Sequence, residues 1–106
     1  MTTQFREIKT FDQLRGLVNK ASGIKLLVYF YCSDQKDDEY VAQLVRAVRK
    51  YGKRSTKLYL CNLCIYPGLC QNKQSVCLYS EGRKIFQFYG KVKQKIIDIS
   101  LSRYVN

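Results

Sequence analysis

The sequence predicts one α/β domain built on a mixed sheet, and three observations predict it. A nearly continuous apolar run, IKLLVYFYC from Ile24 to Cys32, reads as a strand buried on both faces. A helical pattern and a second apolar run, KLYLCNL from Lys57 to Leu63, follow it. That order makes a strand-helix-strand unit, which implies a parallel pair with a right-handed crossover. Two further strand patterns, Ser75 to Tyr79 and Lys84 to Tyr89, flank the four-residue link SEGR, whose Gly82 suits a hairpin, so the last pair is antiparallel. With 106 residues and 46% hydrophobic content, the chain is sized for one core that needs neither metal nor disulfide staples.

The remaining elements follow from local pattern. Phe5 to Lys9 reads as an edge strand. Phe11, Leu14, Leu17 and Val18 recur at helical spacing, with Thr10 or Asp12 placed to cap the start and Ser22-Gly23 to end the helix. After the central strand, SDQKDDE puts four of the eight acidic residues directly before Tyr40, Val41, Leu44, Val45 and Val48. Acid at the start of that helix and base at its end both suit the helix dipole, and Gly52 is a natural C-cap. After Gly90, the residues Val92, Ile96, Ile97, Ile99 and Leu101 predict a last helix with a basic face of Lys91, Lys93 and Lys95. No repeat, linker or low-complexity stretch interrupts the chain.

Composition excludes more than it selects. Histidine is absent, which removes the commonest general base and metal ligand together with Ser-His and Cys-His nucleophile arrangements. No run of about 18 apolar residues exists to span a bilayer, and MTTQFREIKT has neither the apolar stretch nor the cleavage site of a signal peptide. A reducing, cytoplasmic setting is expected, with RKYGKR leaving a nuclear destination open. Nineteen Lys and Arg against eight Asp and Glu give a net charge of +11, a field that recruits anionic partners.

Five cysteines, at 32, 61, 64, 70 and 77, are an odd set for a disulfide framework, and buried thiols are the expected state. Cys61-Asn62-Leu63-Cys64 spells C-x-x-C, but it falls at the end of a strand. There, residues three apart are separated by about 10 Å and point to opposite faces, too far for a disulfide. Cys61, Cys64, Cys70 and Cys77 would supply four thiolates to zinc, yet Cys70 and Cys77 lack the close pairing of a zinc knuckle. Cys70, following Pro67-Gly68, is the thiol expected at the surface. Asp34, Asp37, Asp38 and Glu39 lack the glycine turn and distal glutamate of a calcium loop. No cofactor is expected.

Arg46, Arg49, Lys50, Lys53, Arg54 and Lys57 lie within twelve residues and form a candidate phosphate-tracking patch. Set against that is the ordinary role of such charges, solvating a helix end. The aromatic residues Tyr29, Phe30, Tyr31, Tyr59, Phe86 and Phe88 sit inside strand patterns and are expected in the core rather than as base-stacking platforms.

The order helix, strand, helix, strand, hairpin, helix, with VYFYCSDQKDD from Val28 to Asp38 and the hairpin SVCLYSEGRKIFQFYG, resembles thioredoxin along almost the whole chain. The resemblance implies a three-layer sandwich, a mixed sheet of four to five strands flanked by helices. It also implies that the chemistry is gone. The positions matching the family's Cys-Gly-Pro-Cys read Gln35-Lys36-Asp37-Asp38, the place of its cis-proline reads Gln74 followed by Ser75, and its buried acid is replaced by Tyr29. The segment between Leu63 and Gln74 is shortened.

The expectation is a non-catalytic interaction module. Its partner-binding residues are Ser33, Asp34, Gln35, Lys36, Asp37, Asp38 and Gln74, where the family grips its substrate peptide, and its expected partner is a basic or polar protein segment. Two alternatives stand beside it: a binder of nucleic acid or an acidic partner through the basic patch, and a thiol redox or zinc protein using Cys61, Cys64, Cys70 and Cys77. Homodimerisation by pairing of an edge strand is also open.

Overall fold

The structure, a computed structural model, describes residues 5–20, 25–32, 37–51, 56–63, 74–90 and 93–105. The elements run β1 (Phe5–Ile8), α1 (Phe11–Lys20), β2 (Lys25–Tyr31), α2 (Asp38–Tyr51), β3 (Thr56–Asn62), β4 (Ser75–Ser80), β5 (Arg83–Tyr89) and α3 (Gln94–Val105). The five strands form one sheet in the order β1-β3-β2-β4-β5. β3 pairs in parallel with both β1 and β2, whereas β2–β4 and β4–β5 are antiparallel. The sheet is therefore mixed, with β2, the most apolar run, at its centre and β1 and β5 at its edges.

Strand alternation divides the core between the two faces of this sheet. On one face Leu27, Tyr29 and Tyr31 of β2, Leu58 and Leu60 of β3, and Val76 and Leu78 of β4 pack against Tyr40, Val41, Leu44, Ala47 and Val48 of α2 and Ile97 and Leu101 of α3. On the other, Ile8, Leu26, Val28, Tyr59 and Cys61 are buried together, with Leu14, Leu17 and Val18 of α1 packed against them. A helix pair on one face and α1 on the other give the three layers.

Local sequence sets the helix starts. Thr10, not Asp12, caps α1: its Oγ1 accepts the Gln13 N–H at 3.1 Å, and Gln13 Oε1 accepts the Lys9 N–H at 2.9 Å, a reciprocal arrangement close to a capping box. Asp37 caps α2, its Oδ1 accepting the Tyr40 N–H at 3.0 Å.

Two details differ from expectation. The β4–β5 link is a two-residue turn rather than a four-residue one, because Ser80 and Arg83 pair and leave only Glu81 and Gly82 between them. Their φ values of 52° and 79° are both left-handed, as a tight hairpin with the right twist requires. In α3 the helix begins at Gln94, so Lys93 precedes it while Lys95 lies within it, both exposed, and Lys91 and Val92 lie outside the described residues. Of the predicted apolar stripe only Ile97 and Leu101 are buried, since they are one helical turn apart, while Ile96 and Ile99 point away at 42% and 57% exposure.

Candidate functional site

The C-terminal end of β2, the N-terminus of α2 and the entry to β4 meet at one end of the sheet. β2 is antiparallel to β4 with Phe30 opposite Ser75, so Gln74, just before β4, arrives beside the end of β2. Tyr29 joins the parts. Its phenolic O–H donates to Gln74 Oε1 at 2.5 Å, and the same oxygen is hydrogen-bonded by the Asp37 backbone. Gln74 is held from the other side as well: its carbonyl accepts the Gly90 N–H at 2.6 Å, with Gly90 in a left-handed conformation, φ 71°. One buried phenol thus fastens the start of α2 to the loop before β4.

Packing fixes the phenol in turn. Tyr29 stacks on Tyr31 with ring centroids 5.6 Å apart, and Tyr40 meets it edge-on at 5.4 Å and 86°. Tyr31 O–H reaches Glu7 Oε1 at 3.4 Å. Burial pushes the Tyr29 pKa up to about 12, with the Asp37 hydrogen bond opposing and the Asp37 charge assisting. A hydroxyl so raised stays protonated at neutral pH and holds its hydrogen bond as a neutral group.

Of the residues expected on this face, Asp37 is half-buried, Asp38 is exposed and Gln74 is half-buried, and the three are brought to one end of the sheet. Ser33, Asp34, Gln35 and Lys36 lie outside the described residues. In the basic group, Arg46, Arg49 and Lys50 are exposed on α2, and Lys50 Nζ sits 5.2 Å from the centroid of the Tyr51 ring. Lys53 and Arg54 lie outside the described residues. Lys57 is exposed on β3 but shares its side of the strand with Tyr59, across the sheet from α2, so it does not extend that helix surface.

Cys32, Cys61 and Cys77 are buried thiols outside any disulfide, and Cys64 and Cys70 lie outside the described residues. Cys61 is packed in the α1-side core, and burial pushes the Cys77 thiol up, which lowers its thiolate fraction. Among the described residues no three His, Cys, Asp or Glu side chains are grouped to hold a metal ion. No helix among them is long and apolar enough to cross a membrane.

Sequence reasoning located Tyr29 and Gln74 but did not join them. The signal was available: a tyrosine inside an otherwise apolar strand needs a partner for its hydroxyl, and only groups at the ends of neighbouring strands and helices can supply one.

Comparison with solved structures finds the same overall fold in thioredoxins. The thioredoxin of Malassezia sympodialis superposes with a TM-score of 0.78 at 9% identity, over 98% of this chain and 93% of that one. Mitochondrial thioredoxin 3 of Saccharomyces cerevisiae, in its oxidised form, gives 0.73 at 13% over 93% and 94%. Thioredoxin O2 of Arabidopsis thaliana, also oxidised, gives 0.73 at 12% over 98% and 96%. At such identities the likeness is one of fold, and the fold is thioredoxin-like. No family model matches the chain, and no curated protein matches it in sequence.

Proposed function

We propose that the protein is a non-catalytic thioredoxin-like module that binds a basic or polar protein segment at the face carrying Asp37, Asp38 and Gln74. The observation that supports this most is the Tyr29 bridge. Where the resemblance sets a proton-exchanging acid, the chain has a phenol that is hydrogen-bonded to both loops of the face and stays neutral. A redox dithiol needs two sulfurs at the start of α2, and the sequence there reads Gln35-Lys36-Asp37-Asp38. What the position retains is geometry, the start of α2 and the entry to β4 tied together through Tyr29, with the charge of Asp38 and Glu39 in the first turn of α2. The reading places the protein in a reducing compartment, the cytoplasm or nucleus.

The test is a titration of the labelled protein with an extended Lys-rich peptide, followed through its amide resonances, beside a disulfide-reduction assay. Binding that perturbs the 37–40 and 74 amides and weakens about tenfold on Asp37→Lys with Asp38→Lys supports the proposal. Binding indifferent to both reversals, or turnover in the reduction assay, refutes it.

A second reading rests on a separate observation, the exposed Arg46, Arg49 and Lys50 on one helix. It assigns a nucleic-acid or acidic partner to α2, and its mark is an affinity that falls steeply with salt, by about 0.9 log units per log unit of salt for each duplex phosphate neutralised.

A further inference from the structure

The other side of the sheet, the side covered by α1, carries a second feature between β1 and β3. A cavity of about 200 Å³ is lined, among the described residues, by Arg6, Lys57, Leu58 and Tyr59. Its two cations are put there by strand register. Arg6 lies opposite Tyr59 in the parallel β1–β3 pair, and Lys57 is two residues before Tyr59 on the same side of β3. Neighbouring strands are about 4.8 Å apart and residues rise about 3.3 Å each, so the two Cα atoms are about 8 Å from one another. Both side chains are long enough to meet over one bound group. α1 covers the rest of this face through Leu14, Leu17 and Val18, which pack on Ile8, Tyr59 and Cys61.

Nothing adjacent in sequence neutralises the pair. Glu7, the neighbour of Arg6, alternates to the other face of the sheet, where it accepts the Tyr31 hydroxyl. Both cations are exposed, and neither has an ion-pair partner among the described residues. Two like charges fixed side by side at the mouth of a cavity repel each other, and an oxyanion between them removes that repulsion. Arginine offers a planar fork matched to phosphate, and lysine a compact point charge beside it.

We propose that this cavity is a binding site for a phosphate-type oxyanion, held between the Arg6 guanidinium and the Lys57 ammonium over Tyr59. Its volume suits a phosphate or the phosphoryl end of a small phosphomonoester, being below that of pockets that engulf drug-sized ligands. The site is separate from the Tyr29 face: it lies on the other side of the sheet, between β1 and β3 rather than between β2 and β4.

The experiment is a titration of the uniformly ¹⁵N-labelled full chain with inorganic phosphate and, separately, with adenosine 5′-monophosphate, at ionic strength held constant with sodium chloride. The expected result is saturable shifts at the amides of Arg6 and Lys57 to Tyr59. Affinity should be weakened about tenfold or more in both Arg6→Gln and Lys57→Gln, while Lys93→Gln with Lys95→Gln, both exposed, binds like the parent although it removes more charge. Both Arg6 and Lys57 are exposed, so their variants should keep the parent's amide dispersion, which the same spectra check. Tighter binding of the nucleotide assigns a phosphomonoester, and equal binding assigns free phosphate. Shifts that do not saturate, shifts spread along α2, or parental affinity in either single variant would overturn the proposal.

Discussion

The two ends of the sheet treat their polar groups differently. Where β2 stops and β4 begins, Tyr29 is hydrogen-bonded to both Gln74 and the Asp37 backbone, and Gly90 donates to the Gln74 carbonyl. Where β2 and β3 begin, Thr56 Oγ1 is buried without a hydrogen-bond partner among the described residues and Glu81 holds a left-handed conformation that suits glycine or asparagine better, and nearby, on the α1 side, Arg6 and Lys57 share a cavity without a counter-charge among the described residues. At the first end the described groups Tyr29, Gln74, Asp37 and Gly90 are joined by hydrogen bonds. The second retains features that lower stability without serving the core, and such features concentrate where a surface is used.

High pH should break the satisfied end first. A phenol whose pKa is raised by folding, from 10.0 to about 12 for Tyr29, stabilises the fold fully below the unfolded value. The unfolded chain releases its proton first as pH rises, so this contribution disappears between about pH 10 and pH 12. The loss should be about 2 to 3 kcal/mol, read by denaturant melts across that range. Burial also raises Tyr31 and Tyr79, which lose stability in the same direction. Replacing Tyr29 by Phe should then cost about 1 to 3 kcal/mol at neutral pH, since Gln74 Oε1 and the Asp37 backbone lose a buried partner, and should remove part of the alkaline loss. An unchanged alkaline profile in that variant would detach the pH effect from the bridge.

At the other end substitutions should stabilise. Thr56→Val removes an unpartnered buried hydroxyl and should gain about 1 kcal/mol in the same melts. A loss instead would mean that the hydroxyl has a role the core does not show. Glu81→Asn should gain about 0.5 kcal/mol, because asparagine enters the left-handed region more readily, with no change at the Tyr29 face.

Much of the fold was legible because β2 and β3 are long apolar runs and Thr10, Gly82 and Gly90 punctuate the chain where turns and caps must fall. The last helix was less legible. Four of its apolar residues fit a helix, but which two enter the core depends on how the helix lies on the sheet. The candidate site was half legible: the residues standing where the resemblance sets a dithiol, a proline and an acid could be named, but not what they do instead. Lys57 shows the limit. Adjacent in sequence to the basic end of α2, it belongs in space with Arg6, fifty-one positions away, because strand alternation turns it to the other face.

By itself the sequence determined the order and kind of the elements, the parallel pairing of β2 with β3, the antiparallel β4–β5 hairpin, and the absence of histidine chemistry. These are set by periodicity, local turn preferences and composition, which act over a few residues at a time. The tertiary structure decided that Tyr29 binds Gln74, forty-five positions away, and that Arg6 and Lys57 face one cavity. Such pairs are fixed by strand register and by which helix covers which face, and those are properties of the packed sheet that no local segment carries.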